Sequence, residues 1–491
     1  MSIGKSQKNY PDRKYYILTS SSAIIPVEDY KFNKTEVRMK SLVDSECFFK
    51  NHKYKNKKIK LEKMINDIGF EWDPLSEPGH MRQMSYATII MEAIEKYIWL
   101  IVNKFCNEQD IPLHRISGGE LFDSSNQELK KQISLISKNL MYGTNQYNVV
   151  ANRKKQILRY SACTQKLAIA KRINLYSKDL PVGFFEISKS YRFEIENELQ
   201  LCKRVRSFHL PELHIINDSL ASSLKIALSV HKKILNEIEK FDPEYELFCS
   251  VTNDFFKKNI DFLKTIAKSI TRPLLLAIYN EGANCGNGIK IDIEYKVFDT
   301  LISPVEIATF QIDDGTSDFS FDVKFKKRDG VKKSVSTIHT VFFSSIERAA
   351  YFLIDRAIKK ETKIGFRQLP FWASPIQTRI IAYDNNSLED AKMLAEELNL
   401  LNFRVDIDDR KIPYRSKKKA KDLKWIPYVV TVEKNNKNLQ NLIIENKTKG
   451  IIGKIMRKND LIKEMKAEEG SNIAVPRYIP MLLSKRELLD S

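Results

Sequence analysis

The 491-residue sequence lacks the short signatures by which nucleotide and hydrolytic chemistry are usually read. There is no GxxxxGK[ST] phosphate loop, no GxGxxG fingerprint, no GxSxG elbow and no HExxH helix, so any ATP must be held by another device. Six cysteines (Cys47, Cys106, Cys163, Cys202, Cys249, Cys285) are scattered without a CxxC pair. That spacing argues against a disulfide framework and a thiolate-only zinc finger, and makes most of them core residues. No run approaches the roughly 18 apolar residues of a membrane span. The start, Met1 to Lys14, is polar, without a signal peptide's apolar stretch, so the expected address is the cytoplasm and no membrane partner is expected.

What is present is an ordinary globular composition, 43% hydrophobic and 29% charged, in a chain long enough for two or three domains. A net charge of +19 points to a polyanionic partner, because Lys and Arg that neutralise phosphates release counterions. Charge alone does not separate RNA from DNA or a membrane surface.

Along the chain, residues 1–66 form a Lys-rich extension with one strand-like piece, Tyr15 to Leu18, and a basic run, Lys53 to Lys63. From Tyr86 to Phe105, Ile90, Ile94, Tyr97, Ile98 and Ile101 recur at helical spacing and predict a long amphipathic helix. Gly183–Ile187, Val205–Phe208 and Leu213–Ile216 predict an antiparallel sheet, followed by a helix over Ser219–Lys240. Strand-like text from Ile289 to Lys327 leads into another helix within Val341–Lys360. The irregular mixture predicts an α+β domain. Beyond the Pro-bounded stretch Leu369–Pro375, βα alternation (Arg379–Tyr383, Leu388–Leu398, Phe403–Ile407, Tyr428–Val432) predicts a separate small α/β unit. The expected domains are thus 1–66, 67–369 and 370–491.

Three residues suit a metal chemically: Cys163, His214 and His339. A Cys/His₂ set is good for zinc and leaves a fourth position open, whereas an isolated Cys or His in a strand is more often structural. Arg192, in Tyr191–Glu194, and Arg348, in Ser345–Arg348, have the guanidinium that fits phosphate oxygens, with a surface salt bridge as the plainer reading.

Several segments then occur in the order of a class II aminoacyl-tRNA synthetase. They are Phe70–Arg82, Arg204–His214, Phe310–Asp313, His339–Arg348, Trp372–Gln377, Trp425–Tyr428 and Leu483–Arg486. Together they resemble the archaeal threonyl-tRNA synthetases over about residues 15 to 487. The resemblance implies a catalytic domain with an antiparallel sheet and flanking helices, followed by an anticodon-binding α/β domain. It implies that Arg192 meets the ATP α-phosphate, with Glu194 near the adenine, and that Arg348 meets the γ-phosphate. It makes Cys163, His214 and His339 the zinc ligands, Glu212 and Gln311 the threonine contacts, and Arg204 a further active-site arginine.

The implied activity is ATP-dependent formation of threonyl-adenylate and transfer to tRNA(Thr), with Zn²⁺, Mg²⁺ accompanying ATP, and a homodimeric assembly. Fewer than 70 residues precede the catalytic block, so a separate protein is expected to clear mischarged Ser-tRNA. In the second unit, Asp408-Asp409-Arg410 and the run Lys417–Lys421 are candidates for anticodon contact.

The chain departs from the family pattern in places. Ser344 stands where glycine is usual, where a side chain would crowd ATP, and Val341-Phe342 replace a Ser-Pro pair. The motif 2 loop, Ile195–Lys203, lacks glycines; Glu212 replaces aspartate; no proline closes the segment Ile116–Gly119. These departures make a non-catalytic RNA-binding paralogue the alternative reading.

Overall fold

A computed structural model describes residues 13–486 apart from 49–54, 128, 130–145, 243, 281–287, 317–320, 434–438, 471–472 and 478. Cys285 and the polar start up to residue 12 lie outside the described residues, as does Lys53. The chain divides into two compact units that interleave in sequence. One takes the described residues up to Lys58, Pro78–His80 and Ile98–Ala349; the other takes Ile59–Glu77, Met81–Tyr97 and Ala350 onward.

The first unit is built on a ten-stranded sheet. Its strands are β1 (Arg13–Leu18), β2 (Ile24–Pro26), β3 (Leu113–Arg115), β4 (Val182–Tyr191), β5 (Ser207–Asn217), β6 (Tyr245–Thr252), β7 (Leu274–Tyr279), β8 (Ile291–Phe298), β9 (Pro304–Asp313) and β10 (Ser336–Val341). Their order is β2-β1-β7-β6-β8-β9-β10-β5-β4-β3. All neighbours pair antiparallel except β3 with β4 and β6 with β7. The Lys-rich N-terminal segment thus supplies β1, held between β2 and β7. Every residue of β6 is buried, the polar Glu246, Ser250 and Thr252 included.

Helices flank this sheet where local sequence starts them cleanly. Leu220–Glu239 (α1) begins at Ser219, whose side chain accepts from the amide of Ser222. Asn253–Ile270 (α2) begins at Thr252, whose hydroxyl accepts from Phe255 N. Each cap satisfies an amide that would otherwise be orphaned, worth about 1 kcal/mol. Along α2, Phe255, Phe262, Leu263, Ile266, Ala267 and Ile270 recur at helical spacing and are buried.

The second unit holds a five-stranded sheet of β11 (Thr378–Ala382), β12 (Val405–Asp408), β13 (Tyr428–Val432), β14 (Leu442–Asn446) and β15 (Ile451–Met456), in the order β12-β11-β13-β14-β15. β11 is parallel to β12 and β13, and the last two strands run antiparallel. Helix Leu388–Leu400 buries Ala391, Leu394, Ala395 and Leu398 in a core with Ile380, Val405, Ile407 and Val430. No helix among the described residues is long and apolar enough to cross a membrane.

Candidate metal and substrate site

One rung of the large sheet carries the site. Cross-strand register pairs Phe184 with His214, His214 with His339, His339 with Gln311 and Gln311 with Asp292. Directly paired residues share a face of a sheet, so four adjacent strands place His214, His339, Gln311 and Asp292 side by side. Glu212, two residues before His214 on β5, lies on the same face and pairs with Glu186 of β4. Cys163 opens the helix Cys163–Arg172 and reaches the rung from outside the sheet.

The resulting cluster is buried. Cys163 Sγ lies 3.5 Å from His339 Nδ1, and one ligand atom each from Cys163, Glu212, His214 and His339 falls within 4.8 Å of the others. The two imidazoles meet edge to face, centroids 4.2 Å apart. Both ring nitrogens of His214 and Nε2 of His339 are buried without a hydrogen-bond partner. Burial drives His214 well below the ordinary imidazole range, His339 adding to the shift, and lowers His339 to about 3. Burial also raises the Cys163 thiol, with the Glu212 carboxylate second. Neutral imidazoles with orphaned lone pairs beside a sulfur are costly alone, yet they form a donor set for a borderline-soft cation. A bound cation would reverse the thiol's preference and deprotonate it.

Behind the cluster lies a buried network that the sequence did not announce. Arg159 donates to both oxygens of Glu186, at 2.8 and 2.5 Å, and Gly118 N donates to Oε1 at 2.9 Å. Lys166 Nζ stands 3.6 Å from Glu212 Oε2 and 3.9 Å from Glu186 Oε2. Burial raises the Glu212 carboxyl, opposed first by Lys166, then by Arg159 and Arg192. Arg192 is therefore close enough for its charge to be felt there; its guanidinium lies over the rings of Tyr160 (4.7 Å) and Phe208 (5.2 Å).

The remaining expected residues fall in two groups. Arg204 binds Glu194 Oε2 through Nε at 2.8 Å and Glu198 at 3.0 Å, so it and Glu194 hold each other. Arg348 donates to Lys203 O at 3.2 Å and lies 3.6 Å from Glu306. Gln311 Nε2 donates to Asp292 Oδ2 at 2.8 Å. Burial, then the Glu306 charge, raises Asp292 to about 6, while burial is the largest cause holding Glu294 at about 8. Missed by sequence reasoning was Glu347, buried at the start of helix Ile346–Ile364. It accepts His209 N through both oxygens (3.1 and 2.9 Å), lies 2.8 Å from His209 Nδ1, and so fixes the residue before Arg348. The adjacent Glu-Arg pair was visible, but its partner on β5 was not.

Ser344, one of the departures, has an unusual backbone. Its φ of 51° is left-handed, the conformation glycine adopts freely, and its hydroxyl turns inward to donate to Glu306 O at 3.2 Å. That backbone is one glycine adopts at no cost, and the serine placed there bonds a carbonyl of its own unit. In the second unit, Lys417 is buried, donating to Ala382 O and Asp408 O, and Lys418 pairs with Glu445. Asp408 is taken by Arg410, and Asp409 by Ser484. Each of these groups has a partner within its own unit.

Comparison with known proteins agrees with this architecture. Residues 147–356 match the family model for the tRNA synthetase class II core domain (G, H, P, S and T), and residues 376–468 match the anticodon binding domain. Similar curated proteins include the threonine–tRNA ligases of Staphylothermus marinus (34% identical over 97% of this chain and 75% of that one) and Nanoarchaeum equitans (33%, again 97% and 75%). The chain thus spans about three quarters of those relatives. Among solved structures, the RNA binding domain of threonyl-tRNA synthetase from Cryptosporidium parvum superposes with a TM-score of 0.70 at 17% identity, covering 83% of this chain and 98% of that one. Giardia lamblia prolyl-tRNA synthetase in complex with prolyl-adenylate gives 0.63 at 15%, covering 85% and 81%. These two likenesses concern the fold.

Proposed function

The chain belongs to the threonine–tRNA ligase family of class II aminoacyl-tRNA synthetases, and from that premise we propose how its residues divide the work. It is an aminoacyl-tRNA ligase that attaches threonine to tRNA at the expense of ATP. A non-catalytic paralogue finds no support in the comparisons.

In our reading Cys163, His214 and His339 hold zinc, the observation behind this being one ligand atom from each gathered within 4.8 Å, with both His214 nitrogens buried and unpartnered. When bound, the metal supplies an open position that can take an amino group and a neighbouring hydroxyl. Glu212 and Gln311, on the same sheet face, are the threonine contacts. Arg192 binds the α-phosphate and Arg348 the γ-phosphate of ATP, with Mg²⁺ on the phosphates. Arg204 braces Glu194 against the adenine. The reaction is an in-line attack of the threonine carboxylate on the α-phosphorus, expelling pyrophosphate, and then acyl transfer to the terminal ribose of tRNA(Thr). The side chains contribute position and preorganised charge rather than a covalent partner.

A site built to take a hydroxyl rejects valine strongly, whereas serine differs by one methyl, worth about 1–3 kcal/mol. Mischarged Ser-tRNA is therefore the expected error, and a separate editing protein acting in trans belongs to this proposal, as do a homodimer and a cytoplasmic address. Residues 67–369 are assigned to catalysis and 370–491 to the anticodon. The test is charging of tRNA(Thr) transcript by the 491-residue chain with ATP and each amino acid. Threonine-dependent charging, with Ser-tRNA left intact once formed, supports the reading. Folded protein that charges nothing would sink it.

A further inference from the structure

Glu212 lies against the cluster itself. Its two carboxylate oxygens lie 3.9 and 4.0 Å from Cys163 Sγ, nearly as close as His339 Nδ1 at 3.5 Å. Ligand bonds of about 2.0–2.3 Å at a tetrahedral zinc place the ligand atoms roughly 3.3–3.8 Å apart. At 3.9 and 4.0 Å the carboxylate oxygens lie just outside that range, within a small shift of a fourth corner of the cluster. Charge argues the same way. A divalent cation with one thiolate leaves a net positive charge in a buried place that also holds Lys166 and Arg159, and a second anion neutralises it.

We propose that in the amino-acid-free enzyme Glu212 is the fourth ligand of the metal held by Cys163, His214 and His339, and that the substrate amino group displaces it. This rests on the zinc reading above and deepens it. One oxygen–metal bond would give way to one from the amine lone pair, the ammonium's proton going to bulk water, so that Glu212 leaves as a carboxylate. Lys166 receives that side chain. Arg159 and Gly118 N already engage both oxygens of Glu186, so the acceptor left for the buried ammonium, besides Ala162 O at 3.4 Å, is Glu212. Glu212 Oε2 lies 3.6 Å from Lys166 Nζ and 4.0 Å from Cys163 Sγ, so one side chain stands between the lysine and the cluster. The displaced ligand also makes entry harder for an amino acid that offers only its amine.

The test uses the full chain loaded with cobalt(II), azide as the probe of an open position, and no amino acid. The wild-type visible spectrum should resist azide. In Glu212→Gln azide should act at a concentration about tenfold or more lower, and a chelator should strip cobalt about tenfold or more faster, the scale on which metal sites respond to lost partners. Should Glu212→Gln fail to fold, Lys166→Met serves instead. It keeps azide out yet needs about tenfold more threonine to change the spectrum, the effect expected of a lost supporting partner. Equal sensitivity of wild type and Glu212→Gln to azide overturns the fourth ligand while leaving the three-ligand site standing. A wild-type chain that takes up no stoichiometric metal overturns both.

Discussion

At the scale of single residues, Ser344 shows a backbone requirement met by the wrong side chain. A left-handed non-glycine residue costs about 1–2 kcal/mol, and the Ser344 hydrogen bond to Glu306 O returns about 1 kcal/mol of that. Ser344→Ala keeps the strain and loses the bond, so it should be less stable than wild type by about 1 kcal/mol. Ser344→Gly removes both and should stay close to wild type. Thermal denaturation of the three proteins checks the order, and alanine outlasting glycine would refute it. Arg192, stacked over Tyr160 and Phe208, tests the phosphate assignment. Arg192→Gln should lower kcat for amino-acid-dependent pyrophosphate exchange about 10²–10³-fold with metal content unchanged. A loss below tenfold would move the arginine out of the reaction.

At the scale of elements, a buried histidine ties three of them together. His231 on α1 meets Tyr295 OH of β8 at 2.6 Å through Nδ1 and Ser269 Oγ of α2 at 2.7 Å through Nε2. Burial, with a smaller push from Lys232, lowers its pKa to about 4. Unfolded, the imidazole titrates near 6.5, so between pH 6.5 and 4 the unfolded chain binds more protons and stability falls as the pH drops. The loss attributable to this residue reaches ~3 kcal/mol at the lower end. His231→Asn should remove that part of the pH dependence, seen as urea midpoints that converge with wild type toward pH 4. Parallel curves would show that the native imidazole titrates normally.

The elements also show what could be read beforehand. The helix expected over Tyr86–Phe105 is Ser85–Glu108, and the strand Tyr428–Val432 is found to the residue, because hydrophobic periodicity is local. The strand expected over Gly183–Ile187 runs on to Tyr191, since Ser188, Lys189 and Ser190 look like a turn but pair with Leu210, His209 and Phe208. His214 and His339 are joined by β5–β10 register, which no spacing rule reveals; residue chemistry made them candidates, and only the family resemblance implied one shared site. Lys166 was invisible for a different reason. A lysine in an amphipathic helix reads as solvated, and only Glu186 and Glu212 arriving from another element make its burial tolerable.

For the whole molecule, the charge of +19 fits a polyanionic partner, but not every lysine serves it. Within Lys417–Lys421, Lys417 binds carbonyls inside its own unit and Lys418 is paired. The central claim is that a metal-centred pocket on the large sheet selects threonine for activation by ATP. It is tested most directly by ATP–pyrophosphate exchange on purified protein, with threonine, serine and valine in parallel and zinc quantified in the same sample. The account predicts about one zinc per chain, as a single mononuclear site requires, with exchange driven by threonine, weaker with serine, absent with valine, and lost in Cys163→Ser. Exchange that proceeds equally with valine, or that survives removal of the metal, would contradict it.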